Sequence, residues 1–456
     1  ADALAALADL PPDLPAPGPI GMFITVDQKN PDRYILSVTH GGLGLPEREF
    51  YRRQDADGQR IRDAYKAHIG KLLTLAGVAG PDAKAEKIFA LETRIAELQW
   101  PNARRRERDQ TYNLMTTAEL QTLAPAFPWT AALQAAALPT TAEVVVRERD
   151  AMAPLAQLFA ATPVADWQAY LTYHLIRSSA DVLPAAIDAE VFDFFGKTLN
   201  GQPQQRERWK RGVDATNGAL GEAVGQIYVQ RHFSPAAKEA MLELVENVRT
   251  AYAARIDALP WMTAETKIVA QEKLAAFRAK IGYPDKWKTY AGLDVRADDP
   301  LGNARRAARF EWAEQLDRLS KPTDRDEWFM TPQTVNAYYN PTFNEIVFPA
   351  AILQPPFFDL NADAAVNYGG IGGVIGHEMG HGFDDQGATS DARGVLRDWW
   401  NERDVAAFRA LGDKLVAQYN QFEPLPGLPL NGRLGLGENI GDLGGMEVSY
   451  HAYRAS

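Results

Sequence analysis

The stretch GGVIGHEMGHGFDDQG, residues 372–387, determines how the C-terminal part of the chain must fold. It contains two of the seven His residues of the chain, His377 and His381, with Glu378 between them. On an α-helix, residues four apart are separated by about 40° around the axis, so both imidazoles project from one face. Glu378 lies about 100° from His377, beside that face. The spacing therefore predicts a helix that presents two imidazoles to one metal ion.

Two neutral imidazoles and one carboxylate suit a tetrahedral zinc ion whose fourth position is left to water. Beside such an ion, Glu378 can take a proton from the water molecule and act as general base. A chance His-Glu-x-x-His in a chain of this composition has a probability of about 1%. The motif alone therefore does not exclude coincidence, and a third ligand is needed.

A third ligand is offered by LGLGENIGDLGG, residues 434–445. This stretch places Glu438 and Asp442 four residues apart at the start of a second helix, again on one face. Glu438 supplies the missing carboxylate. Asp442, one turn further on, can accept a hydrogen bond from the second nitrogen of a ligating His and so fix its tautomer. The sequence therefore predicts a single zinc ion held by His377, His381 and Glu438.

The first helix is unusually rich in glycine, which costs a helix about 1 kcal/mol per residue relative to Ala. The glycines concerned are Gly369, Gly370, Gly372, Gly373, Gly376 and Gly380. Such a segment does not form a stable helix in isolation, so tertiary packing must stabilise it. Small residues allow neighbouring backbone to approach closely, and we therefore expect this helix to be buried.

Composition excludes several classes of protein. The 456-residue chain has 46% hydrophobic and 23% charged residues, as an ordinary globular protein does. Its net charge of -11 argues against nucleic acid as a partner, because phosphate recognition needs a basic surface. Cys is absent, so a metal must be held by His and carboxylates. No apolar run reaches the length of a membrane span, and no signal segment is apparent.

The pattern along the chain predicts two regions. Residues 1–325 form an N-terminal region, which begins with a short Ala/Leu-rich helix and a Pro-rich connector. A β-hairpin is expected at about 20–39, and apolar residues every three or four positions predict a helical lid domain over about 46–319. Residues 326–456 form the zinc-binding domain. The predicted fold class is mainly α with a smaller β component.

Three stretches in this order resemble the neprilysin / endothelin-converting-enzyme family of zinc metallopeptidases. They are NAYYNPTFNEIVFPAAILQPPFF (336–358), VIGHEMGHGFDDQG (374–387) and GENIGDLGG (437–445). Upstream, GGLGLPEREFY (41–51) and RWKRGVDATNGALGEAVGQIYV (208–229) also resemble that family, so the similarity runs along most of the chain.

The resemblance implies a thermolysin-like zincin catalytic domain facing a large helical domain, with the site in a cavity between them. It implies that His377, His381 and Glu438 hold zinc, that Glu378 is the general base, and that Asp442 orients a ligand His, most naturally His377. The expected substrates are oligopeptides, cut on the amino side of a large hydrophobic residue.

The family also implies that Asn336 and Ala337 hold the substrate backbone, as an edge strand does. For Asp384 two roles stay open, namely a carboxylate that accepts a hydrogen bond from a ligand His, and a plain contact at the helix end or in the loop. Family members are mostly extracytoplasmic, so periplasm or cell envelope is expected.

The similarity has one limit at the C-terminus. Eighteen residues follow Glu438, whereas family members continue with a His and an Arg that act on the transition state and the substrate. The N-terminal part of the chain is also shorter than in family members. We therefore expect truncation at both ends, with the C-terminal segment possible as a separate piece. The alternatives are a catalytically impaired zinc- and peptide-binding fragment and a zinc hydrolase acting on another substrate class.

Overall fold

The computed structural model describes residues 18–140 and 142–456. The predicted Ala/Leu-rich helix and most of the connector after it lie outside the described residues. Of the described residues, 56% are helical and 10% are in strands, which confirms the predicted fold class of mainly α with a smaller β component. Within the part of the chain that the structure describes, no helix is both long and apolar enough to cross a bilayer.

The helices account for most of the chain and are numbered here in chain order. They are α1 (Glu49–Arg52), α2 (Ala56–Leu75), α3 (Pro81–Leu98), α4 (Asn102–Arg105), α5 (Thr117–Leu123), α6 (Trp129–Ala135), α7 (Arg149–Ala161), α8 (Val164–Ser178), α9 (Ala185–Val191), α10 (Arg208–His232), α11 (Pro235–Ala258), α12 (Ala264–Ala275), α13 (Pro300–Arg318), α14 (Ala364–Asn367), α15 (Gly373–Gly380), α16 (Glu402–Tyr419) and α17 (Leu436–Ala455). Two π-helical segments, Phe192–Leu199 and Tyr368–Gly372, continue α9 and α14. Short 3-10 turns cover Ala180–Val182, Ala350–Ile352 and Gly387–Thr389.

The strands form two small sheets. They are β1 (Ile20–Asp27), β2 (Asn30–His40), β3 (Asn113–Thr116), β4 (Glu143–Val146), β5 (Arg278–Gly282), β6 (Tyr338–Asn340) and β7 (Glu345–Pro349). The first sheet has the order β1-β2-β4-β3, and β2 pairs with β4 in parallel. The second sheet has the order β5-β7-β6, in which β5 and β7 are parallel and β6 is an antiparallel edge strand.

Three of these strands lie within the region, about 46–319, that the sequence predicts to be overwhelmingly helical. They are β3, β4 and β5, each of four or five residues. Segments this short do not give a clear alternation of polar and apolar residues, and their partners lie far away in sequence. Outside β3, β4 and β5, the described regular elements between residues 46 and 319 are helices.

The chain divides into two compact units. Of the described residues, the first unit contains 18–25, 34–140, 142–215 and 291–322, and the second contains 26–33, 216–290 and 323–456. The division differs from the single boundary predicted after residue 325, because residues 216–290 belong with the C-terminal part of the chain. The reason is long-range packing, which a sequence pattern does not reveal.

The second unit is built around one hydrophobic core. Helix α11 contributes Met241, Val245 and Val248, each fully buried. The sheet contributes Ile346 and Phe348 from β7, and the helix that carries the His-Glu-x-x-His motif contributes Ile375 and Met379. This core holds α11, α15, α17 and the β5-β7-β6 sheet together, and thereby fixes the position of the motif.

Candidate metal centre

The His-Glu-x-x-His motif lies at the end of a buried helix. The π-helical segment Tyr368–Gly372 runs directly into α15, and His381 follows the last residue of α15. The rings of His377 and His381 are 4.5 Å apart between centroids and are nearly perpendicular, at 85°. Their Cα atoms are four residues apart on one helix face, as the 3.6-residue period requires. The two imidazoles can therefore reach one common point.

Helix α17 brings Glu438 to that point. Its Oε2 lies 3.5 Å from His377 Nε2 and 3.7 Å from His381 Nε2. One ligand atom from each of the three residues falls within 4.8 Å of the other two. Glu438 is in the first turn of α17, so an acidic side chain is also favourable there because of the helix dipole.

Glycines permit the close contact between α15 and α17. A Cβ atom on Gly441 would lie 2.8 Å from His377 Nδ1, and one on Gly445 would lie 2.5 Å from the His377 backbone nitrogen. On the other helix, a Cβ atom on Gly376 would lie 2.7 Å from the Gly445 backbone. Any side chain at these positions would push the helices apart. The glycines that weaken α15 locally are thus required by the packing that positions the carboxylate.

Each imidazole is held by a carboxylate at its other nitrogen. His377 Nδ1 lies 2.8 Å from Asp442 Oδ1, and His381 Nδ1 lies 2.8 Å from Asp384 Oδ2. An ionised carboxylate can only accept hydrogen bonds, so both Nδ1 atoms carry the proton. Both Nε2 atoms then present a lone pair toward Glu438, the tautomer that a metal ligand needs.

Asp384 makes both of the contacts that the sequence leaves open. Besides the bond to His381, its Oδ1 accepts hydrogen bonds from the backbone N–H groups of Gln386 and Gly387, at 2.8 and 2.7 Å. The side chain is 6% exposed, whereas that of Asp442 is 73% exposed. The hydrogen bond to His381 therefore lies in a more desolvated environment than that to His377.

The surroundings of Glu378 and His381 shift the pKa values of both side chains. Burial raises the pKa of Glu378 to about 7, with the charge of Glu438 acting in the same direction. His381 and a hydrogen bond from the backbone N–H of Tyr339 oppose the shift. For His381, burial lowers the pKa, but the bond to Asp384 and the surrounding carboxylate charges outweigh it and raise the pKa overall.

The structure places Asn336 and Ala337 immediately before the edge strand β6, not within it. Asn336 is exposed and Ala337 is 5% exposed. Two positions further on, Tyr339 in β6 donates its backbone N–H to the Glu378 carboxylate. The edge of the sheet and the buried carboxylate are therefore adjacent in space.

The donor set fits zinc. Two imidazoles and one carboxylate converge, no thiolate competes, and each imidazole has an acidic partner at its Nδ1 that favours the ligating tautomer. This combination of two His and one Glu is typical of zinc sites that keep one position open.

Two buried polar residues that bond to the segment after the His-Glu-x-x-His motif were not predicted as functional. Asn344 is buried in the turn between β6 and β7, where its amide donates to the carbonyls of Lys273 and Ala392, both at 3.1 Å. Lys273 is buried on α12, on the same helix face as Ala270 and Leu274. A lysine among the apolar positions of a helix is a signal that could have identified it.

Comparison with protein-family models gives two matches to peptidase family M13, over residues 1–284 and 336–456. Endothelin-converting enzyme 1 of Mus musculus is 34% identical over 447 residues, and the Homo sapiens protein has the same identity. In each case the match covers 95% of this chain and 58% of the relative. The chain thus spans less than two thirds of the length of these relatives.

Solved structures give a similar result. A crystal structure of the Mycobacterium tuberculosis zinc metalloprotease Zmp1 in complex with an inhibitor is 44% identical and superposes with a TM-score of 0.93, covering 99% of this chain and 70% of that one. PepO from Lactobacillus rhamnosis is 27% identical with a TM-score of 0.87, covering 98% of this chain and 71% of that one.

Proposed function

The chain belongs to peptidase family M13, and on that premise we propose that the protein is a zinc-dependent metalloendopeptidase. The observation that carries the proposal is the convergence of His377 Nε2, His381 Nε2 and Glu438 Oε2 on one point. Each imidazole is also held by a carboxylate at its Nδ1. We assign these three residues as the ligands of one zinc ion. When bound, zinc would supply Lewis-acid chemistry, lowering the pKa of a water molecule and polarising the scissile carbonyl.

Glu378 is the general base in this proposal. Glu378 is 5% exposed, directly follows His377 in the chain, and interacts electrostatically with His381. It would accept a proton from the attacking water and pass it to the nitrogen of the leaving amine. A general base is most effective when its pKa lies near the operating pH, and burial of Glu378 acts in that direction. Asp442 and Asp384 hold the His rings and do not touch the substrate.

The edge strand β6 supports a peptide as the substrate. An extended peptide can add to an open sheet edge through backbone hydrogen bonds. Asn336 and Ala337 precede β6, and Tyr339 within it contacts the general base. We propose that Asn336 and Ala337 hold the substrate backbone. By family resemblance the substrates are oligopeptides, cut on the amino side of a large hydrophobic residue, and the protein acts in the periplasm or cell envelope.

A second candidate function is binding of zinc and peptide without efficient turnover. The observation behind it is that the match covers 58% of each of these relatives, so a large part of each relative has no counterpart in the match. Removal of one preorganised donor from a transition state typically costs about 10²–10³ in rate. A separate polypeptide that supplies such donors would be the partner in this case.

Zinc content and peptide cleavage of the same full-length sample test the proposal. We expect one zinc per chain and cleavage of a hydrophobic-containing oligopeptide that a chelator abolishes and zinc restores. Glu378→Gln should keep the zinc and lose at least about 10²-fold in kcat, the usual minimum contribution of a general base. Glu447→Gln changes a half-exposed residue of α17 that pairs with Arg255, and it is the matched control.

The outcomes separate the candidates. Zinc binding without peptide cleavage, with zinc and peptide affinities that Glu378→Gln does not change, supports the second candidate function. Cleavage that persists in the chelator contradicts both candidates, and so does a full-length protein that binds no zinc. Fractionation of the producing cells, with the peptidase activity followed in each fraction, tests the proposed location.

A further inference from the structure

Lys273 is a fully buried lysine that the proposed reaction does not use. Lys273 on α12 is 0% exposed, and Ala270 and Leu274 of the same helix are buried beside it. Burying an ammonium group is costly unless hydrogen bonds and charges compensate. The buried ammonium group of Lys273 must therefore have compensating partners in the core.

All three hydrogens of the ammonium group are used. Lys273 Nζ donates to the carbonyl oxygens of Gly382, Gly387 and Ser390, at 2.6, 2.7 and 2.7 Å. Three acceptors at this distance require three N–H donors, so the group is the charged ammonium ion and not the neutral amine. The ring centroids of Phe383, Tyr339 and Trp399 lie 5.6, 5.8 and 5.8 Å from the same nitrogen. Their faces are suited to stabilising a buried cation.

The three carbonyls belong to the loop 382–390, which directly follows the second His of the motif. One ammonium group thus joins the beginning, the middle and the end of this loop. The loop has almost no regular structure of its own apart from the turn Gly387–Thr389. Without Lys273, the hydrogen-bonding capacity of three carbonyls would have to be satisfied in another way.

The same loop carries the carboxylate that orients His381. Asp384 Oδ2 accepts from His381 Nδ1, and Asp384 Oδ1 accepts from the backbone N–H of Gly387. Gly387 is therefore bonded on both sides, through its N–H to Asp384 and through its carbonyl to Lys273. A Cβ atom on Gly387 would lie 1.8 Å from the carbonyl oxygen of His381, so the loop packs directly on the ligand residue.

We propose that Lys273 is a positioning residue of the metal centre, which fixes loop 382–390 through its three carbonyl bonds and thereby holds Asp384 against His381. The assignment rests on the proposed function, in which His381 is a zinc ligand. Lys273 does not touch the zinc, the water or the substrate. It determines the orientation and tautomer of one imidazole, and through these the affinity for the metal.

A purely structural role for Lys273 makes a different prediction. In that case its removal would lower the stability of the second unit without a specific effect on His381. Lys280 provides the matched comparison, because it is a second buried lysine of this unit, 6% exposed, that donates to the carbonyl of Glu327 and pairs with Glu345 at 2.7 Å. It makes no contact with loop 382–390 among its described partners.

The test compares Lys273→Met with Lys280→Met in the full-length protein. Met preserves most of the length and apolar character of the stem and removes the ammonium group. Zinc affinity is measured by competition with a chromophoric chelator, and the tautomer of each His ring is read from long-range ¹H–¹⁵N spectra of the metal-free protein. Circular dichroism and thermal unfolding establish that each variant is folded.

For Lys273→Met we expect zinc affinity to fall by about 10–100-fold, as for other changes behind a metal ligand. The His381 resonances should shift to a mixture of the two tautomers, while those of His377 stay unchanged. Lys280→Met should lose stability yet keep both the affinity and the His381 spectrum. Equal affinities of the two variants with an unchanged His381 tautomer would overturn the proposal.

A second variant keeps the test decisive if Lys273→Met does not fold. Lys273→Arg retains the charge, but its planar guanidinium cannot direct three hydrogens to three converging carbonyls. We expect it to fold, with a loss of affinity of about tenfold and the same change at His381. If the unmutated protein binds no zinc, the proposed function fails. The His381 spectrum of the metal-free variants still decides whether Lys273 positions the ring, and an unaltered spectrum in Lys273→Arg contradicts the proposal.

Discussion

Gly376 and Gly445 pack backbone against backbone, so that a Cβ atom on Gly376 would lie 2.7 Å from both the Cα and the carbonyl oxygen of Gly445. The contact joins α15, which carries the His residues, to α17, which carries Glu438. The distance between these two helices sets the distances among the three converging ligand atoms. Helix stability and metal geometry therefore depend on the same pair of glycines.

Gly445→Ala should damage the metal centre because the added methyl group would lie 2.5 Å from the backbone nitrogen of His377. We expect overpacking to cost about 1–3 kcal/mol of unfolding free energy. Zinc affinity should fall by about tenfold or more as α17 moves outward. Denaturant unfolding and chelator competition measure the two effects.

Gly444→Ala is the control for that substitution, since no atom lies within 4 Å of a Cβ at this position. It should stabilise α17 by up to about 1 kcal/mol through helix propensity and leave zinc affinity unchanged. If the two variants behaved alike, the close contact would not be what limits the site.

Local periodicity explains why much of this site could be predicted. A four-residue spacing fixes the relative direction of two side chains once a helix is assumed, so His377 and His381, and likewise Glu438 and Asp442, could be placed on shared faces. The glycines predicted that neighbouring backbone approaches α15 closely, although the partner of each glycine could not be predicted. The mainly α fold class follows from the same periodic pattern.

Contacts between distant parts of the chain could not be predicted. Strand β5 pairs in parallel with β7, about 65 residues away, and this pairing draws residues 216–290 into the second unit. Neither five-residue segment signals its partner. Lys273 is a similar case, because its acceptors are backbone carbonyls of glycine and serine more than 100 residues away, which leave no trace in side-chain identity.

Substitution of the two carboxylates that hold the His rings should weaken zinc binding unequally. Asp384→Asn places an amide against His381 in a buried setting and disturbs an acceptor of two backbone N–H groups. Asp442 is 73% exposed, so water can replace its bond to His377 more easily. We expect affinity losses of about 100-fold for Asp384→Asn and about tenfold for Asp442→Asn.

Chelator competition on the two variants measures this order, with Glu447→Gln on α17 as the reference. A larger loss of zinc affinity in Asp442→Asn than in Asp384→Asn would mean that solvent exposure does not govern the strength of these hydrogen bonds. It would also mean that the loop contacts of Asp384 contribute little to zinc binding.

Zinc should stabilise the folded protein if it binds at this site. A ligand that binds only the folded state adds about 4 kcal/mol of unfolding free energy at a free concentration 1,000 times its Kd. The stabilisation should disappear in His381→Ala, which removes a ligand, and persist in Glu378→Gln, which does not. Thermal unfolding with zinc and with chelator provides the measurement. A zinc-dependent shift of equal size in His381→Ala would place the ion elsewhere.

The buried pair Glu345 and Lys280 should make stability depend on pH near neutrality. Glu345 is 0% exposed, and burial raises its pKa to about 7 despite the nearby ammonium group of Lys280. The folded state therefore keeps this proton between about pH 4.5 and 7, where the unfolded state has released it. The contribution of Glu345 to stability is present below about pH 4.5 and is lost as the pH rises to 7.

Glu345→Gln removes this titration and tests the sign. The stability of the variant relative to the unmutated protein should rise by about 3 kcal/mol between pH 4.5 and 7, since each pKa unit corresponds to about 1.4 kcal/mol. Urea unfolding of both proteins across this range gives the difference, and Glu447→Gln should show no such slope. A difference that is constant with pH, or that falls as the pH rises, would mean that Glu345 is ionised in the folded state throughout the range and that Lys280 fully compensates its burial.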